Sequence, residues 1–367
     1  MKYYTKVGSI NSDFVFPSTS SLLTPFFHLP LCSYNKRGRE MKVKVIFSLF
    51  LLVAITSVNA DLKVGYYNEI CPQAEKIVRE VVEEELGIPF YNVGVGPGLV
   101  RLLFHDSFVG GCDGSVLLGS PMDSWSEKSA SKNIGLRGFE IIDKAKQRLE
   151  DSCRGVVSCA DILVFAARDA TQILLNANYG YIEFNVESGR LDSKVSFKDQ
   201  VDSSLPAPED NLEQLKNLFL SKKDITVQDL VVLSGAHTFG QSHCSSIKDR
   251  IYPSISDTLN ERYGYYLRTR CPQYVPFDGV VDLDARTPYK LDSVYYQNVK
   301  NLTALFFSDW SMLTGDDTLP FVNEYAAPVN DWNIDFVESM KKLSRLNVIT
   351  DPTNGEIRKI CSKVNSY

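Results

Sequence analysis

The segment 159–175 is apolar on nearly every side when its residues are placed on a helix. A helix without a polar face is a buried helix, because no side of it meets water favourably. Other elements must therefore surround this segment on all sides. We predict that residues 159–175 form a central helix, and this requirement constrains the fold more than any other part of the sequence.

Most of the other apolar residues also recur at helical spacing. After Cys71 and Pro72, a proline suited to a first helical turn, the pattern continues to Leu86. Alternating strand patterns are scarce, and 181–186 is the best candidate. The Pro-, Ser- and Asp-rich stretch 193–210 is predicted to be a long loop. The predicted fold class is all-α with very little β structure, and the further expected helices are 98–108, 139–149 and 224–234.

Residues 41–60 have the pattern of a secretory signal peptide. Two lysines follow Met41, an apolar run covers 45–58, and small residues precede Asp61. The apolar run is shorter than the ~20 residues that span a bilayer. We predict cleavage after Ala60, secretion, and no stable membrane association afterwards. Residues 1–40 form an N-terminal extension that a misassigned start codon would explain; if Met1 is the true start, a membrane anchor is the alternative.

Composition and charge favour an acidic globular protein. Of the 367 residues, 44% are hydrophobic and 23% are charged, and the formal net charge is −6. Residues 1–60 carry seven Lys or Arg and two Asp or Glu, which is +5, so the chain without them has a charge of −11. An acidic surface argues against nucleic acid as a partner.

The cysteines indicate disulfides in an oxidising compartment. Removal of the signal peptide leaves seven of the eight cysteines, because Cys32 precedes it. No C-x-x-C pair suggests zinc or a thioredoxin-like site. An odd number leaves one thiol without a partner, and the sequence alone does not pair the rest.

Arg101 and His105 lie four residues apart in the segment LVRLLFHDSFV, on one face of a predicted helix. Burying such a pair is costly unless a polar site compensates. A site for peroxide would do so, with the imidazole taking a proton and the guanidinium stabilising negative charge on oxygen. The alternative is a structural network of these two residues with Asp106.

A further histidine, His237, ends an apolar helix in the segment LVVLSGAHTFG. Gly235 and Gly240 flank it and allow the backbone to approach another group closely. A single histidine at a helix end is more often structural than functional. Its neighbours are informative only when they match a known pattern.

They do match one. The blocks that carry the resemblance are RLLFHDSF, GCDGSVLL, EKSASKN, RGFEIID, VVSCADIL, LPAP, DLVVLSGAHTFGQSHC, LDARTPYKLD and GEIRKICSKVN. In this order they resemble the class III plant secretory haem peroxidases, the horseradish type, over about residues 62–365. The resemblance implies one haem peroxidase domain, 61–367, with an all-α fold of two subdomains and haem b between the distal and proximal helices.

The resemblance also assigns the peroxide side of the haem. It makes Arg101 and His105 the distal pair, and Phe104 a wall above the haem. Asn133 resembles the asparagine that accepts the Nδ1 proton of the distal histidine and keeps Nε2 basic. Glu127 is expected to support that network.

On the other side, His237 resembles the proximal iron ligand and Asp309 its carboxylate partner. Such a carboxylate gives the imidazole imidazolate character. Pro206, in the LPAP block, resembles the proline whose carbonyl orients phenols. The implied activity is reduction of hydrogen peroxide to water with one-electron oxidation of phenolic donors, which suits peroxide removal under oxidative stress and cell-wall phenol chemistry. We expect a monomer.

The resemblance implies two calcium sites, each beside one of the histidines. Calcium takes hard oxygen ligands from carboxylates, hydroxyls and backbone carbonyls. The site beside His105 comprises Asp106, Val109, Gly111, Asp113 and Ser115. The site beside His237 comprises Thr238, Asp284, Thr287, Lys290 through its carbonyl, and Asp292.

Three family disulfides carry over, and a fourth does not. The implied pairs are Cys71 with Cys153, Cys159 with Cys361, and Cys244 with Cys271. The family has cysteine where this chain has Ser107, which leaves Cys112 unpaired. Because that bridge would tie Asp106 to Asp113, we hypothesise weaker calcium binding there and a more mobile distal helix than in relatives.

Further expectations concern a departure from the family pattern, glycosylation, location and His243. The Gly-Gly-Pro-x-Trp segment usual in the family is replaced by 176–180, near the expected substrate channel. The sequon at Asn301 is a candidate for glycosylation. The expected location is the extracellular space or cell wall, with the vacuole as the alternative. His243 is interpreted as a surface residue.

Two other functional classes are alternatives to the peroxidase. One is a non-enzymatic haem- or calcium-bearing extracellular protein on the same scaffold, which the absent bridge at Ser107 motivates. The other is a metallohydrolase using His105, Asp106 and His237, which lacks a convincing further histidine for a zinc site. Peroxide-dependent guaiacol oxidation and metal analysis separate the three.

Overall fold

Helices dominate the structure of this chain. The computed structural model describes residues 61–87, 92–120 and 122–366. The predicted extension and signal peptide, 1–40 and 41–60, lie outside these residues. The α-helices of the described part are α1 Ala74–Leu86, α2 Val95–Val109, α3 Phe139–Ser152, α4 Cys159–Tyr179, α5 Lys198–Ser204, α6 Leu212–Leu220, α7 Val227–Ser234, α8 Lys248–Ile251, α9 Glu261–Arg270, α10 Val294–Lys300, α11 Phe307–Ser311, α12 Leu319–Tyr325 and α13 Trp332–Leu343.

Strands in the same residues are only two or three residues long and form three antiparallel pairs. Lys63–Val64 (β1) pairs with Glu187–Ser188 (β2), Asp192–Ser193 (β3) with Gly355–Glu356 (β6), and Gln241–His243 (β4) with Val280–Asp282 (β5). They fasten loops to one another and build no sheet face. The all-α prediction is confirmed.

Helix α4 is the centre of the structure. Its residues from Cys159 to Thr171 are all buried, and α1, α2 and α3 pack against it. The helix begins after Ser158, whose Oγ accepts a hydrogen bond from the Asp161 backbone N–H at 3.1 Å and satisfies one free donor of the first turn. The central helix predicted for 159–175 is therefore confirmed, and it continues four residues further, to Tyr179.

The elements that carry the two site histidines meet near Pro97 and Gly240. Pro97 lies in the first turn of α2, and Gly240 follows His237 by three residues. Gly240 has a φ of +94°, and a Cβ there would lie 2.9 Å from the Cβ of Pro97. Only glycine tolerates both that conformation and that approach. The start of the Arg101 and His105 helix thus contacts the segment that follows His237.

Two local predictions are wrong. Residues 181–186 form neither strand nor helix, and the strand is the adjacent pair Glu187–Ser188. The segment 193–210 is not one long loop, because α5 forms within it. Val201 and Leu205 are buried at helical spacing, and this pattern was obscured by the Ser and Asp residues around them.

Three disulfides close the chain on itself. They join Cys71 to Cys153, Cys159 to Cys361, and Cys244 to Cys271, the same pairs that the resemblance implies. The Cys159–Cys361 bridge fixes the start of α4 to the C-terminal segment. No helix among the described residues is long and apolar enough to cross a membrane.

Asp229 joins α7, the helix before His237, to α13. Its backbone N–H and carboxylate form a capping box with Thr226, and its carboxylate also accepts hydrogen bonds from Ser339 Oγ at 2.7 Å and Lys342 Nζ at 2.8 Å. Although burial opposes ionisation, the bonds from Lys342, Thr226 and Ser339 hold the pKa of Asp229 below its usual range. The ionised carboxylate therefore stabilises the packing of these two helices.

We predict that Asp229→Asn lowers the free energy of unfolding at pH 7 by about 1–3 kcal/mol. The pKa of Asp229 is lower in the folded protein than the ~3.9 of an unfolded aspartate, so its ionisation stabilises the fold at pH values above ~3.9. This stabilisation is lost as the pH falls through the pKa of the folded protein. The gap between variant and parent, measured by urea unfolding, should therefore narrow below about pH 4. The matched control is Asp317→Asn, which removes an ion pair to Lys216 but whose side chain is 52% exposed. An equal loss in both variants would contradict the prediction.

Candidate active site

His105 lies in the second half of α2 and is held through its Nδ1. That atom is 2.6 Å from Asn133 Oδ1, while Asn133 Nδ2 donates to the carbonyl of Glu127 at 2.9 Å. Because the amide nitrogen is committed to Glu127, the amide oxygen faces the imidazole and Nδ1 carries the proton. The lone pair is therefore on Nε2. Burial first, and then the nearby Arg101 charge, lower the pKa of His105 to about 3, so the imidazole is neutral.

Arg101 is one helical turn before His105 and its Nε donates to His105 Nε2 at 3.1 Å. Its Nη2 donates to the carbonyl of Lys132 at 3.1 Å, and Lys132 Nζ donates to the carbonyl of Leu205 at 2.6 Å. Leu205 immediately precedes Pro206. The structure thus brings Arg101, His105 and Asn133 together, and Lys132 connects them to the Pro206 turn.

Phe104 belongs to an aromatic stack next to His105. Its ring lies 4.2 Å from that of Phe108, nearly parallel to it, and 6.1 Å from that of Phe219 on α6. The ring of His105 is 6.2 Å from Phe104 at an angle of 68°. The stack fixes the orientation of Phe104 and makes one side of the site apolar.

His237 lies in a 3₁₀ turn, Gly235–Thr238, that follows α7 directly. A Cβ at Gly235 would lie 2.6 Å from both Trp332 Nε1 and Tyr296 Oη, so glycine is needed for the turn to pack against these rings. The turn directs His237 towards Asp309 on α11. His237 Nδ1 and Asp309 Oδ1 are 2.8 Å apart.

Asp309 is itself held on both oxygens. Tyr295 Oη donates to Oδ1 at 2.8 Å and the Phe306 backbone N–H donates to Oδ2 at 3.2 Å. The anchored carboxylate fixes the tautomer of His237, whose Nε2 has no hydrogen-bond partner in the described part of the chain. The His237 side chain is 37% exposed despite lying among buried elements.

Beside His105, several buried oxygen atoms lie close together, and two of them have no hydrogen-bond partner among the described residues. Asp106 accepts from the backbone N–H groups of Gly114 and Val116, and Asp113 accepts from that of Ser115. The Ser115 Oγ and one oxygen of Glu127 are buried without a partner. Burial raises the pKa of Asp106 and Asp113, and it raises that of Glu127 to about 7.

The two backbone members of this predicted site adjoin the same oxygens. Val109 ends α2 and Gly111 comes two residues later. Gly110 lies between them, and a Cβ there would be 3.6 Å from Ser115 Oγ and 3.7 Å from an Asp113 oxygen. The loop backbone therefore passes directly along the cluster.

Beside His237, the five residues of the second predicted calcium site are in contact with one another. Asp292 Oδ1 accepts from Thr238 Oγ1 at 3.0 Å and from Thr287 Oγ1 at 3.2 Å. Thr287 Oγ1 is also 3.2 Å from Asp284 Oδ2, and Thr238 Oγ1 is 3.5 Å from the Lys290 carbonyl. Burial raises the pKa of Asp292.

Both clusters fit a hard cation, and His237 fits an iron ligand. Carboxylates gathered close together and shielded from water are costly unless a positive charge compensates, and calcium accepts carboxylate, hydroxyl and carbonyl oxygens. Within the described ranges no group of three or more His, Cys, Asp or Glu side chains is arranged to hold a metal, so these clusters rely on hydroxyl and carbonyl oxygens. A histidine fixed at Nδ1 with Nε2 available is the ligand that haem iron takes.

Comparison with known proteins identifies the family. The peroxidase family model matches residues 75–328. A maize protein named Peroxidase 2 is 41% identical over 338 residues, which cover 90% of this chain and 98% of that protein. A grapevine protein named Peroxidase 5 is 40% identical, with 87% and 95% covered, and an Arabidopsis thaliana protein named Peroxidase 73 is 36% identical, with 89% and 99% covered. The chain belongs to the class III plant peroxidases and is a peroxidase.

Lys132 and Tyr295 contact the site but were not predicted from the sequence. Lys132 directly precedes Asn133 in the EKSASKN block, and that adjacency was the only available signal. Tyr295 lies 14 residues before Asp309 with no local pattern that pairs them. Such contacts depend on the tertiary fold, which periodicity does not reveal.

Ser107 and Cys112, the pair where a family bridge is absent, are in contact. The Ser107 Oγ and Cys112 Sγ atoms form a hydrogen bond, and Cys112 is the one free cysteine of the described residues. Its Sγ also donates to the Leu343 carbonyl at 3.1 Å at the end of α13. Burial raises the pKa of Cys112 to about 12, so the thiol remains protonated.

We predict that Ser107→Cys forms a disulfide with Cys112, because the two side chains already touch. The chain-entropy model gives about 2 kcal/mol of stabilisation for so short a loop. Calcium affinity on the Asp106 side should also rise, because the bridge would tie Asp106 to Asp113. Thiol counting, thermal unfolding and calcium titration measure the three effects, with Ser107→Ala as the control that cannot form a bridge. A bridged variant with unchanged calcium affinity and stability would refute the hypothesis.

Proposed function

We propose that this peroxidase binds haem b with His237 as the iron ligand and acts on hydrogen peroxide with His105 and Arg101. The observation that supports this most is that each histidine is fixed through Nδ1 by a side-chain oxygen. One Nε2 is thereby left beside a guanidinium and the other without a partner among the described residues. Bound haem would supply the two electrons that reduction of hydrogen peroxide to water requires.

His105 is suited to move a proton between the two oxygens of hydrogen peroxide. Its Nε2 carries the lone pair, which accepts a hydrogen bond from Arg101 Nε at 3.1 Å, and a pKa lowered to about 3 keeps the imidazole unprotonated at neutral pH. It can therefore accept a proton from one oxygen and return it to the other, which leaves as water. Arg101 stabilises the negative charge that develops on the leaving oxygen. Asn133 acts through His105 by maintaining the required tautomer.

Phenolic donors are proposed to bind near Pro206 and to give up one electron at a time. Pro206 is half-buried and follows Leu205, whose carbonyl is tied to Lys132. The proline carbonyl would orient the phenol hydroxyl, and Phe104 would limit access from the apolar side. The Lys132 carbonyl also accepts a hydrogen bond from Arg101. The same residue therefore supports both the proposed position of the phenol and that of the peroxide.

The proposed calcium sites support the two histidines from outside. One comprises Asp106, Val109, Gly111, Asp113 and Ser115, and the other comprises Thr238, Asp284, Thr287, Lys290 and Asp292. Asp106 directly follows His105 and Thr238 directly follows His237. An ion at either site would restrain the backbone of the neighbouring histidine.

We further propose that residues 61–367 are the mature domain, a monomer exported through the signal peptide 41–60. The described helices include none that crosses a membrane. Asn301 is exposed at the end of α10, as a glycosylation site requires. The extracellular space and cell wall are the proposed location, where peroxide removal and phenol coupling both take place.

We predict that His105→Gln lowers the rate constant for reaction with hydrogen peroxide by roughly 10²- to 10⁴-fold, because the proton acceptor is lost. The haem absorption spectrum should be retained, since His237 is intact. His243→Gln is the matched control, because the His243 side chain is 46% exposed and its Nδ1 lies 3.7 Å from Asp278 Oδ2. Stopped-flow mixing with peroxide and steady-state guaiacol oxidation measure the effect.

The complementary variant is His237→Ala, which should fail to retain haem while remaining folded by circular dichroism. Purified parent protein without haem absorption, or with haem but no guaiacol turnover, would contradict the proposed function. Equal rates for His105→Gln and the parent would contradict the role of His105 alone.

A further inference from the structure

The last turn of α4 is a second place, besides Ser107, where this chain departs from the family pattern. Residues 176–180 replace the usual Gly-Gly-Pro-x-Trp segment, and α4 continues through them to Tyr179. Gly180, the last residue of this segment, ends the helix with a φ of +80°. Two side chains of that turn, Asn178 and Tyr179, contact a distant part of the chain.

These two side chains hold the backbone on both sides of Asp292. Asn178 Nδ2 donates to the carbonyl of Leu291 at 3.1 Å, and Tyr179 Oη accepts from the backbone N–H of Ser293 at 3.2 Å. Both bonds join residues more than a hundred positions apart. The backbone of residues 291–293 is therefore fixed from the α4 side at two points, one before and one after the carboxylate.

The position of Asp292 matters because its carboxylate connects the cluster beside His237. Its Oδ1 accepts from Thr238 Oγ1 at 3.0 Å and from the Val294 backbone N–H at 2.9 Å. Thr238 directly follows His237. A backbone fixed at 291–293 therefore places the Asp292 oxygen relative to the residue next to the proposed iron ligand.

A cavity of about 270 Å³ lies between α4 and this loop, and its lining includes Leu174 and Ala177 of α4, Tyr289 and Lys290 of the loop, and Phe239. Empty space forfeits the dispersion contacts that would otherwise hold this part of the loop. Leu291 is fully buried in the hydrophobic core, and the hydrogen bonds of Asn178 and Tyr179 add two polar links between α4 and residues 291–293.

We propose that Asn178 and Tyr179 are positioning residues for the calcium site of Thr238, Asp284, Thr287, Lys290 and Asp292, and that they raise its calcium affinity. They touch neither the ion nor the substrate. They hold the loop in the ion-binding arrangement beforehand, so that binding has less conformational entropy to remove. This inference rests on the proposed second calcium site.

Tyr179→Phe tests the proposal, since it removes one oxygen and keeps the ring. Tyr181→Phe is the matched control, because Tyr181 is 82% exposed and has no side-chain hydrogen bond among the described residues. The haem-loaded, calcium-loaded protein is dialysed against buffers of decreasing free calcium, and bound calcium is measured by atomic emission. We expect Tyr179→Phe to lower the affinity for one of the two calcium ions roughly threefold to tenfold and to leave the affinity for the other unchanged. Asn178→Ala should weaken the same ion by a similar factor.

Unfolding measured with and without calcium separates positioning from a structural role. If Tyr179 positions the loop for the ion, the difference in free energy of unfolding between Tyr179→Phe and the parent must be larger with calcium than without it. The increase must equal the amount that the ratio of the two calcium affinities predicts. A gap that is the same with and without calcium, or an unchanged affinity in Tyr179→Phe and Asn178→Ala, would overturn the inference.

The calcium content of the parent and of Asp292→Asn distinguishes this outcome from failure of the proposed function. A parent that holds two ions, of which Asp292→Asn loses one, supports the second calcium site whatever Tyr179→Phe shows. If Asp292→Asn retains every ion of the parent, that calcium site is wrong, and the positioning role is overturned with it.

Discussion

The oxygen that contacts Nδ1 of an imidazole decides which ring nitrogen remains available. Both histidines of the candidate active site depend on this constraint. Asn133 Oδ1 holds His105 at 2.6 Å and Asp309 Oδ1 holds His237 at 2.8 Å. In each case the anchor is itself held by further hydrogen bonds, Asn133 by the Glu127 carbonyl and Asp309 by Tyr295 and Phe306. The Nε2 of His105 then faces Arg101, and the Nε2 of His237 has no hydrogen-bond partner among the described residues.

The two anchors differ in charge, and this difference suits two different tasks. A neutral amide beside His105 adds no negative charge, so burial and Arg101 lower the pKa of the imidazole to about 3 and leave a neutral proton acceptor. A carboxylate beside His237 donates electron density and strengthens the imidazole as a metal ligand. The same ring thus acquires different chemistry from the oxygen that its Nδ1 contacts.

The sequence predicted the parts of this arrangement that depend on local periodicity. Arg101 and His105 lie on one helix, four residues apart, and the central helix at 159–175 follows from its apolar pattern. The anchors could not be found in that way, because Asn133 lies 28 residues after His105 and Asp309 lies 72 residues after His237. Only resemblance to a family suggested them. Helix α5 was missed for a related reason, since Val201 and Leu205 are buried by tertiary contacts amid polar neighbours.

The scaffold around the reacting groups differs between the two sides. Beside His105, Ser107 and Cys112 meet through a hydrogen bond where the family pattern implies a covalent bridge, so a weaker link restrains the loop that carries Asp113. Beside His237, the last turn of α4 makes hydrogen bonds to the backbone around Asp292 that do not depend on a disulfide. Neither change alters His105, Arg101 or His237. Both changes lie in the supports of the two oxygen clusters, where a lost restraint changes affinity and mobility without removing a reacting group.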